Sequence, residues 1–356
     1  MKKLSYGRQW INDDDIAEVV RILRGDWLTM GPTVEAFEKK LAEYVGMKHA
    51  ITFSSGTSAL HGAMNAAGLQ EGDYALTTAL TFAATSNSII YTGATPIFAD
   101  IDPKTLCLNT KTRITKPVRA IVPVSFAGYP LDIKAYRAIA PEAILIEDAS
   151  HALGHDRKEF ADMMTLSFHP VKHITTGEGG AVLTNNDEYA ERLLRFRNHG
   201  MYQKEMIELG YNYRLSEIHC ALGLSQMNRL DEFIARRREL AAMYQKQLSG
   251  VENVILPPEH ENHLWHIYAL QVTNNLRDEL SEYLREHDIN PTTHYKPVPL
   301  HKYYREHYGY HDGDFPEAEK YYEQEISLPL YPMMKDEDVK RVAETIKEFM
   351  RRKNNS

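Results

Sequence analysis

One lysine of this chain stands in a segment that an ordinary surface turn would not need. Around it the sequence reads Ser167-Phe168-His169-Pro170-Val171-Lys172-His173-Ile174-Thr175-Thr176-Gly177-Glu178-Gly179-Gly180: it leaves an apolar run, passes Lys172 and crosses a glycine-rich turn into the next apolar run. A lysine amine condenses with an aldehyde once a desolvated, cation-rich pocket lets it lose its proton. A solvated loop lysine is the plain alternative, so other residues must argue for chemistry. Glu147-Asp148 closes the apolar run Ala143–Ile146. In an open α/β sheet ligands gather at the carboxyl ends of strands, and an acid there can pair with a buried cation or simply face solvent. Ser55-Gly56-Thr57-Ser58 stands at a strand-to-helix junction. Small residues, free N–H groups and the helix dipole favour a phosphate at such a place, although an N-cap uses the same residues. In Gly210-Tyr211-Asn212-Tyr213-Arg214-Leu215-Ser216-Glu217, Asn212 and Arg214 could reach a neighbouring subunit's ligand, while a capping box at Ser216 explains part of the pattern.

Other chemistries fit less well. His151/His155 and His169/His173 have the spacing of metal ligands on a helix, but Gly154 interrupts one pair and Pro170 the other, so no metal site is expected. Neither a dinucleotide-binding glycine fingerprint nor a phosphate-loop lysine motif occurs. The 41 basic and 49 acidic residues leave a net charge of −8 without a basic tract, and so no electrostatic footprint for nucleic acid. The run Arg236-Arg237-Arg238 reads as a solvated helix face. Cys107 and Cys220 are the only cysteines, too few for a disulfide framework and suited to a reducing compartment. No run of about 18 apolar residues occurs, and Met1–Trp10 does not resemble a targeting segment. A soluble, cytoplasmic protein without membrane or nucleic-acid partners is expected.

The elements that must position these residues follow from periodicity. A length of 356 residues suggests about two domains. Between about residues 48 and 185, short apolar runs alternate with helix-period segments, the pattern of an α/β sheet covered on both faces. Strands are predicted at Ala50–Phe53, Tyr74–Thr77, Thr95–Ala99, Ala120–Val124, Ala143–Glu147, Thr165–Phe168 and Ala181–Thr184. Asp231–Leu248 reads as a helix stopped by Ser249-Gly250; beyond it come a strand in Leu264–Val272 and helices at Asp278–His287 and Val339–Met350. The expectation is a large α/β domain over residues 1–245, including the N-terminal segment, and a smaller α+β domain over residues 246–356.

Nearly end to end, the chain resembles the DegT/DnrJ/StrS sugar-nucleotide aminotransferases of pyridoxal phosphate fold type I. The resemblance rests on Trp27-Leu28-Thr29-Met30-Gly31-Pro32, Ser55-Gly56-Thr57-Ser58-Ala59-Leu60, Thr81-Phe82-Ala83-Ala84-Thr85, Glu147-Asp148-Ala149-Ser150-His151-Ala152, the Ser167–Gly180 segment, Gly210–Leu224 and Ser327-Leu328-Pro329. Within the family, Tyr6-Gly7-Arg8-Gln9, Ser150–Gly154, Ile174–Val182, His294-Tyr295-Lys296-Pro297 and Glu325–Pro329 look most like the C4 aminotransferases of pseudaminic acid biosynthesis. Met30 and His151 stand where many members have glutamine. The first departure puts a polar contact near the substrate in question.

The resemblance implies a mostly parallel sheet between helices with a smaller C-terminal α+β domain, and a homodimer with shared active sites. It assigns Lys172 the covalent hold on pyridoxal 5'-phosphate and the later proton transfers. Asp148 would pair with the pyridine nitrogen and keep it protonated. Phe82 would stack on one face of the ring, with His151 near the other face or the ring oxygen. Gly56, Thr57, Ser58 and Ser167 would hold the phosphate together with Asn212 from the partner subunit. The implied reaction passes an amino group from L-glutamate to C4 of a UDP-linked 4-keto-6-deoxy-2-acetamido sugar, with Tyr6, Thr29, Arg214, His294, Tyr295 and Lys296 as substrate candidates. His294–Lys296 could equally be a connecting turn before Pro297. An aminotransferase acting on another sugar nucleotide, such as GDP-4-keto-6-deoxymannose for perosamine, would share these motifs. A sugar dehydratase of this family would carry histidine in place of Lys172, and a regulatory relative would need an N-terminal extension to hold a DNA-binding module.

Overall fold

The structure, a computed structural model, describes residues 3–354. Seven strands form its central sheet: β1 (His49–Phe53), β2 (Tyr74–Thr78), β3 (Thr95–Ala99), β4 (Ala120–Val122), β5 (Ile144–Asp148), β6 (Met163–Ser167) and β7 (Gly180–Thr184). Their spatial order is β1-β7-β6-β5-β4-β2-β3, parallel except for β7, which runs antiparallel to both neighbours. The strands are buried on both faces, which is why they read as short continuous apolar runs rather than as alternating ones. The seven predicted strands all form, with ends displaced by at most two residues: Ala120–Val124 stops at Val122, and Thr165–Phe168 becomes Met163–Ser167.

The helices that matter for the site are α1 (Asp13–Leu23), α2 (Pro32–Val45), α3 (Gly56–Ala66), α4 (Glu217–Met227), α5 (Leu230–Leu248), α6 (Arg277–Glu286) and α7 (Asp336–Asn354). A second, antiparallel sheet joins Val254–Ile255 (β8), Tyr268–Val272 (β9) and Glu325–Leu328 (β10) in that order. Its core takes apolar residues from β9, β10, α6 and α7, together with Leu240, Ala241, Tyr244 and Leu248 of α5. Leu230 and Ile234, earlier on α5, belong instead to the core under the large sheet. The helix therefore runs unbroken through residue 245, and the cores change over between Ile234 and Leu240. Leu4 pairs with Ile289 and packs in the second core, so the N-terminal segment reaches across to the C-terminal part of the chain.

The arginine run on α5 is not a uniformly solvated face. Arg237 is buried to 1% exposure, and Nη1 donates to the carbonyls of Trp265, His266 and Leu330 at 3.0–3.3 Å. The helical period turns this one position inward while Arg236 meets Asp336 at the surface.

α2 begins at Pro32 behind a glycine that offers no side-chain cap. Its cap comes from far along the chain: the buried carboxylate of Glu217 accepts the N–H groups of Gly31, Thr33 and Val34 at 3.0, 3.1 and 2.9 Å. Three otherwise orphaned donors depend on one side chain. Glu217→Ala is expected to lower the unfolding free energy by about 3 kcal/mol, measured by urea denaturation; a loss below about 0.5 kcal/mol would contradict that dependence.

Candidate active site

The carboxyl ends of β1, β2, β5 and β6 open on one edge of the sheet, and each delivers part of the site. After β1 the chain turns at Ser54-Ser55 into α3. Ser55 Oγ accepts the Ser58 N–H at 3.1 Å and Ser58 Oγ accepts the Ser55 N–H at 2.9 Å, a reciprocal capping box. Ser58 therefore spends its N–H and hydroxyl inside the cap and does not reach the cavity, which corrects the expectation that it would hold a phosphate. Gly56 and Thr57, the first two helical residues, do line it. The turn is pressed close: a Cβ on Gly56 would lie 2.8 Å from Ser167 Cβ, and one on Gly180 would lie 2.5 Å from the Ser55 carbonyl oxygen. Glycine at both positions lets a helix N-terminus, the end of β6 and the start of β7 meet closely at one edge of the cavity.

β5 ends on the acid pair, and strand alternation sends its two members to opposite faces. Burial works to raise the Glu147 carboxyl, but the paired Arg157 and the Ser125 hydroxyl hold it below its ordinary range. Asp148 turns the other way, to the cavity. Its Oδ2 accepts the Thr85 hydroxyl at 2.7 Å, and its Oδ1 accepts the Ser150 N–H and hydroxyl at 3.1 and 2.6 Å. The carboxylate is only 4% exposed and no cation among the described residues is hydrogen-bonded to it, so it is aimed and held with room for a positively charged partner.

Beyond β6 the segment folds back through Phe168 and His169, and the Lys172 N–H donates to the His169 carbonyl at 2.9 Å. Burial pushes the Lys172 amine down to about 8; Asp148 opposes this and Arg237 adds to it. Arg237 Nη2 reaches the Val171 carbonyl at 3.5 Å, one residue before the lysine, and no carboxylate among the described residues pairs with it. The pocket is thus desolvated and cation-rich, the condition under which a lysine becomes a nucleophile at neutral pH.

These parts line one cavity of about 390 Å³, with Phe82 after β2, Ser167 at the end of β6, His151 and His266, and Tyr6, His294 and Tyr295. The ring centroids of His151 and His266 lie 4.2 Å apart, and burial pushes both imidazoles well below their ordinary range, so both are neutral. Their Nδ1 atoms are buried without hydrogen-bond partners among the described residues. Buried orphan nitrogens beside an aimed carboxylate mark a place shaped for a polar aromatic group. Phe82 is 61% exposed, and its ring stands 6.0 Å from that of Tyr295. The remaining sequence-predicted residues are not on this wall of a single chain. Thr29 is exposed and bridges Ser216, Arg214 Nη1 donates to Asn198 Oδ1, and Asn212 and Lys296 face solvent. The paired histidines also have other duties, His155 bonding the Gly128 carbonyl and His173 meeting the Leu264 carbonyl. Sequence reasoning missed the roles of Thr85, Ser150, His266 and Arg237. Thr85 and Ser150 stood inside quoted motifs, whereas His266 had no signal beyond a strand pattern.

The profile of the DegT/DnrJ/EryC1/StrS aminotransferase family matches residues 9–347. The chain belongs to that family. Its relatives include the spore coat polysaccharide biosynthesis protein SpsC of Bacillus subtilis, 37% identical over 98% of this chain and 97% of that protein. Among solved structures, Helicobacter pylori PseC, an aminotransferase involved in the biosynthesis of pseudoaminic acid, superposes with a TM-score of 0.93 at 30% identity, covering 98% of this chain and all of that one. The PLP-form of a putative sugar aminotransferase from Streptococcus pneumoniae, Spr1654, superposes with a TM-score of 0.92 at 26% identity, covering 98% and 99%. The expected α/β architecture with a mostly parallel sheet is thus the family's, and an aminotransferase family makes this chain an enzyme of the transferase class.

The state of Lys172 is testable without a substrate. In cofactor-free protein, the rate of reductive methylation at Lys172, followed by peptide mass spectrometry, should rise about tenfold per pH unit below pH 8 and level off above it, because only the neutral amine reacts. A rate still climbing to about pH 10, as for a solvated lysine, would contradict the desolvated pocket.

Proposed function

We propose that this aminotransferase moves an amino group from L-glutamate to C4 of a UDP-linked 4-keto-6-deoxy-2-acetamido sugar, as the pseudaminic acid route requires. The observation that carries the chemistry is Lys172 with its amine lowered to about 8, in one cavity with the aimed Asp148 carboxylate and the Gly56–Thr57 helix start. Pyridoxal phosphate is the cofactor, and when bound it supplies an electron sink for the bonds at the amino-bearing carbon. The residues present fit it. Gly56, Thr57 and Ser167 would take the phosphate, Phe82 and His151 the ring, and Asp148 the pyridine nitrogen. Lys172 Nζ would anchor the cofactor and, once released, take and return a proton at the reacting carbon. The neighbouring, tilted rings of the neutral His151 and His266 would keep water from that side of the pocket.

The substrate assignment is supported by the likeness to PseC and by the cavity wall of Tyr6, His294 and Tyr295, hydrogen-bonding rings suited to a sugar nucleotide. SpsC, from spore coat polysaccharide biosynthesis, supports the alternative of another sugar nucleotide. Lys172 itself speaks against the dehydratase reading. A homodimer is proposed because Asn212 and Arg214 lie off the wall of their own chain, and exposed Met206, Ile207 and Leu209 just before them offer apolar surface for a second copy. Thr29, Arg214, Lys296 and Asn212 of the partner subunit would then complete the substrate and phosphate contacts. The acidic chain has no helix among the described residues long and apolar enough to cross a membrane, and its two cysteines are buried free thiols, which supports a cytoplasmic setting.

Two experiments test this reading. L-Glutamate should bleach the visible absorbance of the lysine-bound cofactor, and the UDP-4-keto sugar should restore it while GDP-4-keto-6-deoxymannose does not. Restoration by the GDP sugar alone would overturn the pathway, and no visible band at all would overturn the cofactor site. Mixing Lys172→Ala with Asn212→Ala chains should recover activity up to about a quarter of wild type through heterodimers with one intact site; none, in verified heterodimers, would contradict sharing.

A further inference from the structure

His294 is wired to a buried acid that the transamination chemistry leaves unused. The ring lies on the cavity wall at 7% exposure, edge-on to Tyr6 at 5.3 Å. Its Nδ1 meets Ser327 Oγ at 2.8 Å, and Ser327 Oγ shares a short hydrogen bond with Glu325 Oε1. The other carboxyl oxygen, Oε2, accepts the His294 N–H at 2.8 Å. Nε2 has no hydrogen-bond partner among the described residues. Glu325 and Ser327 are fully buried on β10, and their hydrogen bonds with His294 connect them to the cavity wall.

A serine hydroxyl has one proton, so the chain can point only one of two ways. If Glu325 is ionised, Ser327 donates to it and must accept from Nδ1–H, which leaves Nε2 as a bare acceptor. If Glu325 is neutral, its O–H on Oε1 donates to Ser327, Ser327 donates to Nδ1, and the imidazole proton sits on Nε2, facing the cavity. Glu325 is fully buried and no cation among the described residues is hydrogen-bonded to it, so we infer the second arrangement: neutral Glu325, acting through Ser327, fixes His294 as an Nε2–H donor to an acceptor oxygen of the sugar nucleotide. Glu325 and Ser327 are positioning residues for that donor. The role rests on the substrate reading above, but the tautomer itself does not.

Electrostatics agree with the geometry. Burial pushes the Glu325 carboxyl up to about 8 against the opposing Ser327 hydroxyl, His294 N–H and Arg277. Burial, with Lys172 adding, pushes the His294 ring down to about 3, so it is neutral and the tautomer is a real choice. The other titratable groups facing the pair are Tyr321 from the helix Pro316–Gln324, Tyr295 beside the histidine and Tyr6 across it. Burial pushes the pKa of all three phenols above the ordinary range, so none ionises before Glu325. As pH rises through about 8, Glu325 loses its proton, Ser327 turns to the carboxylate and the donor at Nε2 becomes an acceptor.

The direct test is a long-range proton–nitrogen spectrum of 15N-histidine-labelled holoenzyme without sugar, with His294→Gln supplying the assignment. At pH 6.5, His294 should be the Nε2–H form and should shift to Nδ1–H with a midpoint near 8. In Glu325→Gln, the amide N–H donates to Ser327 as the neutral acid does, so the Nε2–H form should persist throughout. Finding Nδ1–H at pH 6.5, or the same pH response in both proteins, would overturn the proposal. In turnover, the sugar-nucleotide KM should rise about tenfold above pH 8 in wild type and at all pH in Ser327→Ala, with the glutamate half-reaction unchanged. Glu325→Leu should share that loss and Glu325→Gln should rescue it. An Nε2–H tautomer with no KM change would remove His294 from the sugar site while leaving the transaminase reading intact.

Discussion

A lysine that must lose its proton near neutral pH cannot sit in water, yet the carboxylate it works beside favours its charged form. The site is built around that conflict. Burial and the unpaired Arg237 guanidinium push the Lys172 amine down, Asp148 pulls it up, and the balance falls at about 8. Thr85 and Ser150 already bond both Asp148 oxygens, which holds the side chain in place instead of letting it collapse onto the lysine.

Arg237 shows how the rest of the fold serves this balance. A buried cation without a carboxylate is expensive, and here the backbone carbonyls of Trp265, His266 and Leu330 solvate it. Those carbonyls flank the small sheet, while Val171, its further contact, leads into the lysine loop. One side chain on α5 therefore ties the C-terminal core to the reactive amine, on the same helix whose two ends belong to different cores. The close meeting of α3, β6 and β7 at Gly56 and Gly180 does the corresponding work at the helix-start end of the cavity.

Much of this was legible from local pattern. The strands were visible because doubly buried parallel strands are short apolar runs, and Lys172, Asp148, Gly56 and Thr57 were visible because strand ends and helix starts carry their own residue signatures. The illegible parts depend on partners far along the chain. Ser58 reads alike as a phosphate ligand or as a cap, and only its reciprocal bonds with Ser55 decide between them. Glu147 and Asp148 look interchangeable until strand alternation parts them. Arg237 looked solvated because its neighbours are; its carbonyl partners lie 28 to 93 residues away. Glu325 stood inside a quoted motif but without a role, since its meaning comes from a register that sets β10 beside His294.

The central claim is that Asp148 faces the pyridine nitrogen of a cofactor bound covalently at Lys172. It is tested most directly by the 15N chemical shift of that nitrogen in enzyme loaded with 15N-labelled pyridoxal phosphate. The shift should be that of a protonated pyridinium from about pH 6 to pH 9 and should move to the unprotonated position in Asp148→Asn. An unprotonated nitrogen in the wild-type enzyme, or a shift indifferent to the Asp148 substitution, would contradict the account.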